Sequence, residues 1–160
     1  MTARLVASVA LVAFCATAQD APIIPQTFIG FSRELIQKRL GEPTQSGHFN
    51  GDIPVDYFGD VVLTILYDGR GDAYWVIMTK SKGDDSPSLF GLTISASYED
   101  CVKEWGEPQS VAEDKDSGFI VPEWWIGKFK VGGEFWVAKG DGHEKGEANS
   151  ISVSWAEESR

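Results

Sequence analysis

Cysteine is almost missing from this 160-residue chain, which holds only Cys15 and Cys101. Two cysteines cannot make a disulfide framework, and Cys15 lies in a segment expected to be removed, leaving Cys101 alone. Histidine is equally scarce, with His48 and His143 only. Basic charge is short as well: 14 Lys and Arg stand against 24 Asp and Glu, for a net charge of −10. A nucleic-acid binder needs a basic face and an anionic membrane repels an acidic protein, so both partners are argued against. A basic protein partner fits better, although acidity also serves solubility alone. No apolar run reaches the roughly 20 residues that a membrane-spanning helix needs, which argues against stable membrane insertion.

What the N-terminus does have is an address. Arg4 precedes the apolar run Leu5 to Phe14, and Cys15-Ala16-Thr17-Ala18 gives a small-x-small exit. That three-part pattern predicts a cleaved signal over residues 1–18 and export to the periplasm or the medium. A lipoprotein anchored through Cys15 is the alternative, but the residue before such a cysteine should be small, and here it is Phe14.

The chain also repeats itself. Ser32-Arg33-Glu34-Leu35-Ile36-Gln37-Lys38-Arg39-Leu40-Gly41-Glu42-Pro43 matches Ser97-Tyr98-Glu99-Asp100-Cys101-Val102-Lys103-Glu104-Trp105-Gly106-Glu107-Pro108 at six of twelve positions, at a constant offset of 65. Ser32 and Ser97 are N-cap residues, and Ser97 with Asp100 spells a capping box. Ile36 with Leu40, and Cys101 with Trp105, share one helical face. Cys101 therefore reads as a buried, inert thiol. Gly41 and Gly106 end each helix, and Pro43 and Pro108 prevent its continuation. Helices of about three turns are marginal alone, so a sheet must cover them.

The expected strands of the first half are 55–59, 61–67 and 73–79, with Asp68-Gly69-Arg70-Gly71-Asp72 as a turn. Those of the second half are 123–131, 134–138 and 150–155, with Gly132-Gly133 as a turn. Phe28-Ile29 and Leu89 to Leu92 are candidates for edge strands. The predicted fold class is α+β, with two tandem helix-plus-antiparallel-meander units over 19–86 and 87–160. The helices pack on one face of the sheet or sheets, and the polar stretch 80–88 links the units.

A Ser-led short helix closing on Gly-Glu-Pro before a meander resembles the BamE-like family of outer-membrane assembly lipoproteins. Two such units in an acidic exported chain are similar to the β-lactamase inhibitory protein family. The resemblance implies a fold that works by binding other proteins. The doubled unit and absent lipobox depart from the first family, and the lack of paired cysteines departs from the second.

Catalytic chemistry is not spelled out. Asp141, His143, Glu144 and Glu147 form a metal set only on paper, and a solvated hairpin tip explains them as well. Phosphate-cradling glycines, a nucleophile elbow and a Cys-His pair are missing. A non-enzymatic protein without cofactor or metal is expected. Six Trp are the stronger signal. Strand alternation, with Asp56, Lys128 and Lys130 taken as markers of the wet side, puts Phe58, Trp75, Trp124 and Trp136 on the sheet surface away from the helices, with Trp155 in the core. Those four make the candidate partner-binding surface, unless they fill a seam between the halves. The expected function is an inhibitor or immunity protein acting on a basic toxin or a hydrolase. The alternative is an envelope-assembly scaffold.

Overall fold

The computed structural model describes residues 23–59, 62–80, 87–140 and 142–156, so the expected signal segment lies outside the described residues. Both repeated helices form where the caps place them. α1 spans Arg33–Leu40 and α2 spans Tyr98–Trp105. The Ser32 hydroxyl accepts from the Leu35 amide, and Ser97 and Asp100 close a reciprocal capping box. Gly41 and Gly106 take φ values of 86° and 84°, a left-handed region open to glycine, and their amides return to Gln37 and Val102.

The strands are β1 (Gln45–Phe49), β2 (Ile53–Phe58), β3 (Leu63–Tyr67), β4 (Ala73–Thr79), the short β5 (Ser88–Leu89) and β6 (Leu92–Thr93), then β7 (Ser110–Asp114), β8 (Phe119–Ile126), β9 (Phe129–Trp136) and β10 (Ala148–Trp155). β5 and β6 pair only with each other; the other eight build one antiparallel sheet in the order β1-β2-β3-β4-β10-β9-β8-β7. The expectation of two α+β helix-plus-meander units is thereby corrected. Sheet dominates, one sheet of eight strands runs through both halves, and the described residues hold just two α-helices. β4 pairs with β10 from Trp75↔Ser154 to Thr79↔Ser150, so neither half closes a sheet of its own. Halves of roughly 70 residues bury too little surface to stand alone, and the shared sheet relieves that.

β1 and β7 lie outside the expected strands, because their mostly exposed residues show no apolar alternation. The turn expected at Gly132-Gly133 lies instead at Gly127-Lys128, where Gly127 has φ 60°, and both glycines sit inside β9. Phe28 ends a 3₁₀ turn (Pro25–Phe28) rather than forming an edge strand.

One face of the sheet carries the main core, with both helices packed on it. Ile36 of α1 and Cys101 of α2 join Phe28, Phe58, Leu63, Ile65, Val76, Met78, Trp124, Val131, Phe135, Ile151 and Val153 in one buried cluster. Burial pushes the Cys101 thiol up to about 12, with the neighbouring Asp100 charge adding to it, so it stays protonated and unreactive. Gly133 belongs to the same packing: a Cβ there would fall 2.5 Å from the Phe135 ring and 3.3 Å from the Ser150 carbonyl oxygen. Gly133→Ala is expected to destabilise the fold by about 1–3 kcal/mol through overpacking. A thermal melt unchanged from the parent would show that Phe135 can move aside.

Candidate functional site

The sheet register decides which side chains share the face away from the helices. One row runs Val55, Leu66, Trp75, Ser154, Lys130, Trp125 across β2, β3, β4, β10, β9 and β8. The next row runs Tyr57, Thr64, Ile77, Ser152, Gly132, Glu123 across the same six strands. Val55 and Leu66 are nearly fully covered, Trp75 and Ile77 are half-buried, and Tyr57 and Trp125 are exposed, Trp125 to 56 %. Trp75 and Trp125 stand three strands apart, about 14 Å at the usual strand spacing. The serines of β10 lie between them. Lys130 and Glu123 pair at 2.6 Å next to Trp125, and this ion pair holds the Glu123 carboxyl below its ordinary range.

The four aromatics expected on this face divide. Trp75 and Trp136 are on it. Trp136 is half-buried, stacked under the His143 ring at 3.7 Å and against Phe119 at 4.2 Å. It also borders an open cleft lined by Ser97, Tyr98, Ile120 and Lys145. Phe58 and Trp124 face the helices and are buried, so both are corrected to core positions. Two misread markers explain the error. Asp56, a charge expected on the wet side, is fully buried, and Phe58 follows it inward by alternation. Lys128 is in the turn and Lys130 lies across it opposite Trp125, so Lys130 marks Trp125 and not Trp124 as facing away from the helices. Trp125, the most exposed Trp, was missed for the same reason. Trp155, expected in the core, lies on the helix side at the rim. There it is 37 % exposed, stacked on Phe129 at 5.1 Å and covered by the Lys128 ammonium at 4.4 Å.

Of the paper metal set, Asp141 lies outside the described residues and His143 is occupied with Trp136. Glu147 is paired with Lys80 and accepts from the Glu144 amide, while Glu144 is paired with Lys139. Among the described residues no three His, Cys, Asp or Glu side chains converge as metal ligands.

A buried polar cluster under α1 was not anticipated. Arg33 grips Asp56 with two donors, Nε at 2.8 Å from Oδ2 and Nη2 at Oδ1. Ser46 donates to the same carboxylate at 2.6 Å and Gln37 reaches it at 3.4 Å. The Tyr67 hydroxyl is buried beside it without a well-formed hydrogen bond among the described residues. Burial alone would raise the Asp56 pKa, but the hydrogen bonds from Arg33 and Ser46 outweigh it and hold the carboxyl below its usual value. Burial beside Asp56 pushes the Tyr67 phenol well above its ordinary pKa.

The repeat supplies an internal control for this cluster. Tyr98 stands 65 residues after Arg33, and Val111 and Pro122 pair in β7–β8 as Ser46 and Asp56 pair in β1–β2. Phe135 pairs with Ala148 as Tyr67 pairs with Ala73. The corner that is polar under α1 is therefore mostly apolar under α2, where Tyr98 packs on Phe135 at 5.7 Å.

No family model matches this sequence, and no curated protein matches it either. Solved structures do. A DUF4309 family protein, YjgB, from Bacillus subtilis aligns with a TM-score of 0.55 at 10% identity, over 78% of each chain. An extracellular protein containing a SCP domain from Bacillus anthracis aligns with a TM-score of 0.61 at 12% identity, over 85% of this chain and 47% of that one. A cysteine-rich secretory protein from Staphylococcus aureus aligns with a TM-score of 0.55 at 13% identity, over the same shares. This chain thus spans about half the length of the latter two. At such identities the likeness is one of fold alone, and none of the three is a BamE-like or β-lactamase inhibitory protein. No helix among the described residues is long and apolar enough to cross a membrane.

Proposed function

We propose that this chain is an exported, non-catalytic protein-binding module that captures another protein on the helix-free face of its sheet. The observation that carries the reading is the pair of register rows, which set Tyr57, Trp75, Ile77 and Trp125 on one rigid six-strand surface. Half-exposed aromatics on a fixed backbone give contact area with little side-chain entropy to lose. The N-terminal pattern of residues 1–18 supports export, as do the extracellular and secretory descriptions of two fold neighbours. An inhibitor or immunity role against a basic toxin or hydrolase fits the acidity and the small size.

The test is affinity capture with the whole chain from secreted and envelope extracts, followed by titration of the captured protein against Trp75→Ala and Trp125→Ala. Each is expected to weaken binding by about 30-fold, the effect of a 2 kcal/mol hot spot, while the melting curve of Trp125→Ala stays near that of the parent. Unchanged affinity in both folded variants would remove the sheet face from the reading. Capture of several envelope-assembly components in place of one stoichiometric partner would replace the inhibitor role with a scaffold.

A further inference from the structure

We propose that the outer edge of β7 is a strand-addition site that takes an extended basic segment of the partner as a ninth strand; this rests on the protein-binding reading above. β7 is the last strand of the sheet on its side and pairs only with β8 within it, from Ser110↔Glu123 to Asp114↔Phe119. All five of its residues are exposed, Val111 to 51 %. An edge strand offers a row of free backbone donors and acceptors, which an extended chain can match without any pocket.

The strand is tied at its hairpin turn. The Asp114 carboxylate accepts from the amides of Asp116 and Ser117 at 3.1 and 3.2 Å, and the Gly118 amide returns to the Asp114 carbonyl at 2.9 Å. The incoming strand therefore meets an edge anchored at its C-terminal end.

Charge selects the occupant. Glu113 and Asp114 end the strand and Asp116 follows in the adjoining turn, with Lys115 alone opposing them, so a second copy of β7 is repelled and a segment carrying Lys or Arg is favoured. β1, at the other end of the sheet, has no charged side chain and offers no such preference. The register adds a link to the sheet face: Ser110 continues the row of Tyr57, Ile77 and Glu123, so a partner lying on that face reaches β7 by extending one strand further.

The probes are eight-residue peptides titrated into the intact chain. One alternates Lys and Val, and one alternates Glu and Val. Two N-methylated Lys-Val forms block each alternate set of amides in turn. The Lys-Val peptide is expected to bind and to slow amide exchange in β7, with the Glu-Val peptide at least tenfold weaker. One methylated form should lose at least tenfold while the other retains binding, because only one set of amides faces β7. Val111→Lys with Glu113→Lys, both on exposed side chains, should invert the charge preference without changing the melt. Absent binding, equal behaviour of the two methylated forms, or protection outside β7 would overturn the proposal. If those failures occur while capture still depends on Trp75 and Trp125, the edge falls alone and the sheet face stands.

Discussion

Arg33→Met is expected to destabilise the fold by about 3–5 kcal/mol at neutral pH, because it leaves the Asp56 carboxylate buried with only Ser46 and Gln37 for company. Asp56→Ala should cost less, about 2–3 kcal/mol, since the Arg33 side chain is 39 % exposed and can return to water. The second half shows the remedy. There the same corner holds Tyr98, Pro122 and Phe135 and needs no ion pair. The double variant Arg33→Met with Asp56→Leu should therefore be close to the parent, within about 1 kcal/mol or more stable. Urea denaturation of the three variants checks this, and a double variant as unstable as Arg33→Met would show that the cavity cannot be refilled.

The pH dependence follows from the same group with its sign fixed. In the parent the folded Asp56 pKa lies below the unfolded value near 3.9, so its contribution is fully present above that value. It is lost as pH falls through the folded pKa. In Arg33→Met the burial that opposes ionisation is no longer outweighed, so the folded pKa rises above the unfolded one. The variant's deficit should then shrink as pH falls through that raised pKa. Stability curves that converge between neutral and acid pH are the expected signature, and parallel curves would show that Asp56 does not report on the pair.

How much of this was legible in the chain depends on which physical signal each residue emits. The helices were, because Ser32, Ser97, Gly41 and Gly106 act locally and both copies spell the same caps. β2, β3, β4 and β10 were, because they are runs of apolar and β-branched residues bounded by turn residues. β1 and β7 were not, since an edge strand exposed on most sides has no reason to alternate. The pairing of β4 with β10 is a contact between residues about 75 apart, and nothing local to either strand announces it. The turn at Gly127 was lost to the louder Gly132-Gly133, whose function is to clear space rather than to turn: Gly133 leaves room for the Phe135 ring. That one misplacement hid Trp125. The polar cluster was hidden by Asp56, a charge that reads as exposed until its partner, 23 residues earlier on a helix, is brought onto it.

Trp124 is where that misreading has its largest experimental consequence. Its indole N–H donates to the Gly106 carbonyl at 2.9 Å, satisfying the end of α2, and its ring meets Trp105 edge-on at 5.3 Å. Trp124→Ala is expected to cost about 3–5 kcal/mol, from the cavity and from the carbonyl left unpaired. Phe58 stands at the matching place in the first half, since Tyr57 and Glu123 pair with Gln45 and Ser110, 65 residues apart. A Phe at the matching place shows that the fold tolerates the smaller ring, and Trp124→Phe should cost less than Trp124→Ala, about 1–3 kcal/mol, from the unpaired Gly106 carbonyl and a smaller cavity. Trp125→Ala, one residue on and mostly exposed, should leave the melt within about 0.5 kcal/mol of the parent. Calorimetry on the three variants separates the roles. A partner lost in Trp124→Ala would then report a weakened fold, and only a loss in Trp125→Ala would report a missing contact. If Trp125→Ala also lowered the melt by several kcal/mol, Trp125 would be a structural residue and the sheet face would keep Trp75 and Tyr57 as its aromatic contacts.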